Sequence, residues 1–261
     1  MKVNKKYTGE LSRKFGYLAT WLPETPLALG DIGILKKNQF TRISNLADLG
    51  IDFEVIKDNS KSDIEHSSEG AVSISTKASG SMAPANSVLG ELDAGMLVEF
   101  SKTDAVLFKA NGTLSPSIKD QIGLGKKVLK LYQEGKWDKD WAVITELVTA
   151  ESATILISGS NKGKVELKAK GNAEAATIDI ANAELNFEIS FSKDLSTKII
   201  AQENLTPLFR ASKVKSRFLM PPVFGIRALS AMDLMTPDKA KEDESLLYFD
   251  KVDYDNQWED E

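Results

Sequence analysis

Trp141-Ala142-Val143-Ile144-Thr145-Glu146-Leu147-Val148-Thr149-Ala150-Glu151-Ser152-Ala153-Thr154-Ile155-Leu156-Ile157-Ser158 decides the fold. Ala142 to Val148 and Ser152 to Ser158 are rich in β-branched residues, which lose rotamer freedom in a helix and pack well on a pleated surface. Two strands are expected here. Further on, Lys164 to Lys170 alternates, with Val165, Leu167 and Ala169 set against charged neighbours. Ala183 to Phe191 repeats the pattern with Leu185, Phe187, Ile189 and Phe191 on one face, and Lys198 to Ala201 offers one more strand. The same period of two runs backwards along the chain. Met96, Val98 and Phe100, then Val106 and Phe108 after the polar Ser101–Asp104, make Ala94 to Ala110 a hairpin with one apolar face. Ala71 to Ala78 sets Val72 and Ile74 against Ser73, Ser75 and Lys77, and Gly80 to Gly90 is small and nearly uncharged.

The first third and the centre carry the helices. Tyr7, Leu11, Phe15 and Leu18 recur at helical spacing, with Lys5, Lys6, Arg13 and Lys14 on other faces. A basic amphipathic helix within Lys2 to Leu18 follows, ended by Gly16. Tyr17 to Pro23 reads as a short strand. Ala28–Leu35 and Gln39–Ile43 form a hairpin around Lys36-Lys37-Asn38, and Asn45 caps a helical turn, Leu46 to Leu49, closed by Gly50. Asp52 to Val55 alternates as a strand, and Lys57 to Asp63 is a polar loop. Ser115 as cap and Pro116 at the first helical position start a helix that runs to about Glu134 and stops at Gly135. Ile118, Ile122, Leu129 and Tyr132 are its apolar stripe, and Gly123 and Gly125 weaken it by ~1 kcal/mol each relative to Ala. The sum is α+β, a long twisted antiparallel sheet with a few flanking helices and an acidic C-terminal tail, without βαβ alternation. A single body over 1–235 and a tail over 236–261 are expected.

Composition removes much chemistry. The 261 residues are 42% hydrophobic and 27% charged, the range of ordinary globular chains. No apolar run has the ~20 residues of a spanning helix, and the N-terminus lacks the pattern of a signal peptide. Cysteine is absent and His66 is the one histidine, which excludes thiolate chemistry and any site needing two imidazoles. Charge is split along the chain. Asp238 to Glu261 holds ten acidic residues and three lysines, −7, so the rest carries +2 of the net −5. Pro207 to Arg227 holds Arg210, Lys213, Lys215, Arg217 and Arg227 with no acid. Such a stretch suits anionic lipid, at ~1 kcal/mol per basic residue near the bilayer, and the tail is able to mask it. Leu246, Leu247, Tyr248, Phe249, Val252, Tyr254 and Trp258 give the tail an apolar grip on the body.

Other motifs carry little. Gly159 to Lys164 is one residue short of a phosphate loop and has Val165 where a hydroxyl is required, so it reads as a hairpin turn. Gly123-Leu-Gly-Lys-Lys is a helix with two glycines. His66 lies near Asp63, Glu65, Ser67 and Ser68, the residue types of an acid–base or hydrolase site, but reads as a solvated loop residue. A hydrolase reading requires that His66→Ala abolish an activity. Asp253, Asp255 and Glu259 lack the order of a calcium loop, and an acidic chain without a long basic helix does not favour nucleic acid. The chain is expected to have no catalytic residue, no metal and no cofactor.

In layout the chain resembles the bacterial gasdermins. The resemblance rests on an opening helix leading into Gly16-Tyr17-Leu18, on Leu22-Pro23 and Pro26-Leu27, and on Arg42-Ile43-Ser44-Asn45-Leu46-Ala47-Asp48-Leu49. Leu97-Val98-Glu99-Phe100 and Trp141 to Val148 complete it. It implies an autoinhibited chain, cytoplasmic while inactive, that serves antiphage immunity. A protease removes the C-terminal segment, and the body forms a homo-oligomeric pore in the inner membrane. Under that reading Arg210, Lys213, Lys215 and Arg217 contact anionic lipid or the tail, and Leu247, Phe249, Tyr254 and Trp258 dock the tail. The cut falls near Thr236, Pro237, Asp238, Lys239, Ala240 and Lys241. Bacterial members typically carry a lipidated cysteine near the N-terminus; positions 2–5 here are Lys, Val, Asn and Lys, so targeting would depend on basic patches. The competing expectation is a non-enzymatic interaction or assembly module whose tail binds a partner.

Overall fold

A computed structural model describes residues 3–85, 87–91, 93–169, 187–216 and 247–254. Two helices, α1 (Val3–Phe15) and α2 (Gln121–Gln133), and a 3-10 turn at Ala47–Leu49 accompany fourteen strands among those residues. The strands are β1 (Leu18–Ala19), β2 (Asp31–Lys36), β3 (Gln39–Asn45), β4 (Val55–Ile56), β5 (Ser62–Ser67), β6 (Val72–Lys77) and β7 (Gly95–Phe100). They continue with β8 (Val106–Thr113), β9 (Ser117–Ile118), β10 (Trp141–Ser158), β11 (Lys164–Ala169), β12 (Phe187–Lys193), β13 (Leu195–Ser216) and β14 (Leu247–Lys251).

Trp141–Ser158 is one strand, not two. β10 runs unbroken for 18 residues, and β13, 22 residues long, pairs along it from Leu195 to Lys213. The register shift between Ile144 and Glu146 leaves Thr145 as the extra residue on β10, and those between Val148 and Ala150, Ala153 and Ile155, and Ile157 and Ser158 put the extra residue on β13. Such bulges add twist without ending a strand, which is why the polar gap Thr149–Glu151 does not break it. β10 is the spine of a ten-stranded antiparallel sheet, taking β2, β9 and β8 in turn along its other edge. β3 extends β2, β5 extends β8, β4 pairs β9, and β1 and β14 pair β13.

A second sheet has the order β12-β11-β7-β6. Two expected hairpins therefore dissolve. β7 and β8 lie in different sheets, and so do β10 and β11, so Ser101–Asp104 and Gly159–Gly163 carry the chain from one sheet to the other. Strands β5, β8, β10 and β13 are neighbours in the large sheet, and their continuations β6, β7, β11 and β12 are neighbours in the same order in the small one. Hydrogen bonds tie the crossing points side by side: Ser101 N–H to Ala71 O (3.0 Å), Phe100 N–H to Gly163 O (2.8 Å), Asp104 N–H to Ser158 O (3.1 Å) and Gly159 N–H to Asp194 O (2.7 Å). Four long strands thus bend together over one crease. Met96, Val98, Phe100, Val165 and Leu167 of the small sheet face Leu107 and Leu156 of the large one, and this apolar filling holds the bend shut.

The helices settle where their apolar stripes find cover. Tyr7 and Leu11 of α1 are fully buried in the cluster of Val106, Phe108, Ile155 and Leu208, and Gly16 ends the helix at φ 69°. The hairpin β2–β3 turns at Lys37 and Asn38, both at positive φ, and Asn45 Oδ1 accepts from Ala47 N–H at 3.0 Å ahead of the 3-10 turn. Helix α2 starts later than expected. Ser117–Ile118 is strand β9, so Ser115 is not a cap, and Asp120 caps instead by accepting from Gly123 N–H at 2.7 Å. The expected stripe shifts with it: Leu124 and Val128 are buried and Ile122 is 78% exposed. Strand β4 is confined to Val55–Ile56, downstream of most of the expected Asp52–Val55. In β6, Ile74 is exposed and Lys77 is buried, opposite to the alternation expected there. A register shift between Glu166 and Leu167 sets Phe191 opposite Glu166 and Ile189 opposite Leu167, so those two residues of β12 do not share a face. Leu185 lies outside the described residues.

Candidate functional site

The basic stretch and the aromatic C-terminal segment meet at the free edge of β13. Phe209 and Leu208 pair with β1 on that edge. The edge then continues with β14, from Ser212 opposite Lys251 to Ser216 opposite Leu247. An open strand edge is a template for pairing with another chain, and β14 fills this one. Leu247 and Phe249 lie against α2 in the cluster of Leu124, Val128, Trp137 and Val214. A Cβ on Gly125 would stand 3.2 Å from that of Phe249, so this glycine, a defect for the helix, is what lets the segment lie close.

Two further residues anchor the segment. Val252 is buried and its N–H donates to Ala211 O at 2.9 Å. Tyr254 is 5% exposed; its hydroxyl donates to Ala19 O and accepts from Ala19 N–H, each at 3.1 Å. Burial pushes the Tyr254 phenol well above its ordinary range, against the hydrogen bonds to Ala19 and Thr8. Neighbouring Tyr7 is raised likewise, by burial and then by Tyr254.

The four basic residues singled out from the sequence do different things. Lys215 Nζ reaches Asp250 Oδ2 of β14 at 3.4 Å. Lys213 pairs with Asp250 through the backbone and is half-buried. Arg210 turns away from β14: it donates to Glu146 Oε2 at 2.9 Å and to Gly16 O at 3.2 Å and stacks over Tyr17 at 4.0 Å. Tyr17 hydrogen-bonds the same carboxylate, and burial first, then Glu146, raise its phenol while Arg210 opposes them. Arg210 is thus part of the body's own packing. Arg217, Trp258 and the cleavage region Thr236 to Lys241 lie outside the described residues.

Of the docking residues, Leu247 and Phe249 pack with α2, and Tyr254 packs in a separate cluster with Leu18, Phe209 and Ala211. Val252 joins Tyr254 in its cluster, and Gly125, which the sequence marks only as a weak point of the helix, admits Phe249. Val252 breaks the period of two set by Leu247 and Phe249, and a glycine inside a helix pattern is the trace that another backbone comes close.

His66 is not the solvated loop residue expected. It sits on β5 opposite Phe108, and its Nε2 is 2.9 Å from Glu10 Oε2 on α1. Ser68 Oγ donates to the same oxygen at 2.6 Å and accepts from Val106 N–H at 2.9 Å. A nucleophilic serine needs its hydroxyl on the imidazole; here serine and histidine both serve the carboxylate, and the trio ties α1 to β5. Burial works to raise the Glu10 carboxyl, but the bonds from His66 and Ser68 and the charges of His66 and Lys6 outweigh it and hold it below the ordinary range. Among the described residues no three His, Asp or Glu side chains group as a metal site would need. No helix among them is long and apolar enough to cross a membrane.

No protein-family model matches the chain, and no curated protein matches it. Among solved structures it is similar to a bacterial gasdermin from Bradyrhizobium tropiciagri. That likeness has 14% identity, covers 80% of this chain and 86% of the other, and has a TM-score of 0.35.

Proposed function

We propose that the chain is an autoinhibited pore-forming protein in which the C-terminal segment holds a folded-over sheet in its closed form. The observation that carries this reading is the crease. β5–β6 with β7–β8, and β10–β11 with β12–β13, are two β-hairpins bent double over the same line. A barrel strand crosses a bilayer with ~9–11 residues that alternate apolar and polar. The paths Trp141 to Ala169 and Phe187 to Ser216 exceed that length when straight. Their faces sort accordingly. Met96, Val98, Phe100, Val165 and Leu167 lie on the covered side, and the cross-strand sets Ser75–Leu97–Glu166 and Lys77–Gly95–Lys168 lie on the other. Straightening would exchange the apolar cover of the large sheet for lipid and leave the charges to a water-filled lumen. A lysine on the lipid side would cost ~2–4 kcal/mol at the midplane.

The segment 247–254 supplies the restraint. It fastens the base of the second hairpin along β13 while covalently tethered, which sets its effective concentration near ~1 mM. A cut in Thr236 to Ser245 leaves it bound only by its own contacts, and at working concentrations it dissociates. Protease activation, homo-oligomer assembly, anionic lipid as target and action at the inner membrane against infected cells belong to the same proposal. So does a non-enzymatic role, and Lys213 and Lys215 are the cations that departure of the segment would bare.

The test is dye release from anionic liposomes by the intact chain and by a version carrying a site-specific protease sequence between Thr236 and Ser245. Leakage only after cutting, with separation of the segment, is the expected result. No leakage from a cut, folded body sinks the reading. Tail-dependent association with another protein would then favour the interaction module.

A further inference from the structure

The small sheet buries two charged side chains on the face turned away from its apolar filling. Lys77 is 1% exposed and Glu166 is fully buried. Both are satisfied by the segment that joins β6 to β7. Lys77 Nζ donates to Asp93 O (2.6 Å), Glu91 O (2.9 Å) and Ala78 O (3.3 Å). Glu166 accepts from Val88 N–H (2.9 Å), Leu89 N–H (3.3 Å) and the Ser87 hydroxyl. Lys168 Nζ adds an ion pair to Asp93 Oδ1 at 2.7 Å, and the other oxygen of Asp93 accepts from Gly90 N–H at 2.8 Å. Leu89 lies so close over Gly95 that a Cβ there would stand 2.7 Å from its methyl.

The two charges come from different hairpins. Lys77 ends β6 of the first, and Glu166 and Lys168 belong to β11 of the second. The strap they hold is the loop of the first hairpin. We infer that the strap formed by residues 78–85, 87–91 and Asp93 is a clasp binding the two hairpins to one another, with Glu166 of β11 gripping the strap of the β6–β7 hairpin so that neither hairpin leaves the crease alone. A buried carboxylate without donors is strongly unfavourable. Lifting the strap therefore strips Glu166 and Lys77 of partners together until water reaches both. The closed form loses its strap and the β11 face in one step, and both charges are solvated in the opened one. The purpose of this opening rests on the pore-forming reading, but the clasp belongs to the closed chain and is measurable without membranes.

The experiment is native-state amide hydrogen exchange on the intact chain and on Glu166→Gln. Loss of the charge-assisted bonds is expected to speed exchange in 87–91 by about tenfold or more. Amides of β11 and β12 should accelerate by a similar factor, while those of β10 near Ala142–Val148 stay unchanged. Faster exchange confined to the strap overturns the inference. Lys77→Met attacks the clasp from the other hairpin and must give the same coupled pattern, which keeps the test decisive should Glu166→Gln fold poorly. In liposomes, cut Glu166→Gln is expected to release dye faster than the cut parent. If the cut parent leaks and the variant leaks at the same rate, the clasp is wrong. If the cut parent does not leak, the pore-forming reading fails while the exchange result still decides the clasp.

Discussion

The two ends of β13 and its continuation are closed by opposite physics. At the base, the C-terminal segment is held by apolar side chains and by one tyrosine with its hydroxyl satisfied on Ala19. At the far end, the strap over the small sheet is held by buried charges whose donors and acceptors are backbone groups and the Ser87 hydroxyl. An apolar contact releases when its segment is diluted away, because nothing in the separated parts is left worse than exposed. A buried charge releases cooperatively, since each step short of full hydration leaves a group without partners. The base suits a latch set by removal of a segment, and the far end suits a threshold that keeps the sheet folded until the base has gone.

The largest expected effect falls on the base. Tyr254→Ala removes a buried ring and its two hydrogen bonds to Ala19, and should cost about 3–5 kcal/mol of segment docking, as large-to-small core changes do. The intact variant should leak dye without any cut, and limited proteolysis should find β14 exposed. A fully latched Tyr254→Ala chain would show that the base is not held by apolar packing. Next comes Gly125→Leu, which drives a side chain into Phe249 and should cost about 1–3 kcal/mol. Denaturant unfolding reads the cost. Loss of β14 protection with α2 intact would place the damage at the dock.

How much of this was legible in the sequence differs between the same two regions. The aromatic residues of the C-terminal segment announced a docking surface, since exposed Phe249 and Tyr254 in an acidic stretch need a partner. The opening helix, the β2–β3 hairpin and the turn at Asn45 were legible too, because each is fixed by local spacing and capping. The crease was not. Alternation says which residues share a face and nothing about which strand lies alongside, so Ser101–Asp104 and Gly159–Gly163 read as hairpin turns when they are sheet crossings. Lys77 and Glu166 looked solvated because period two assigns charge to the outer face, and only the strap seventy-odd residues before Glu166 covers it. Pro116 misplaced the start of α2 because Ile118 is taken by strand pairing with β4 before the helix begins.

A smaller effect tests the joint between helix and sheet that flanks both regions. Glu10 is held below the ordinary glutamate value near 4.5, so its contribution is present above that value and is lost as pH falls through the depressed one. Glu10→Gln should cost about 1–2 kcal/mol at neutral pH, with the difference from the parent shrinking as pH drops below the ordinary carboxylate range. Thermal unfolding across that range checks it, and a difference that grows on acidification would reverse the assigned sign. His66, Ser68 and Lys6 are the groups that face this carboxylate, and Lys14 and Lys109 line the same surface near His66.

The smallest effect separates the latch from a charge-based alternative. Lys215 and Asp250 are 3.4 Å apart, and the aspartate side chain is half exposed. A pair with that much water around it contributes about 0.2–1 kcal/mol, and salt weakens it. A double-mutant cycle with Lys215→Met and Asp250→Asn, read as segment release, should return a coupling in that range that fades at high salt. Lys215 keeps its stem in the Met variant, so lost packing does not inflate the value. A coupling above about 2 kcal/mol would exceed what exposed pairs supply and would make the base an electrostatic lock like the far end. The contrast between the two ends would then be lost, and the basic stretch, not Tyr254 and Phe249, would be what the segment is there to cover.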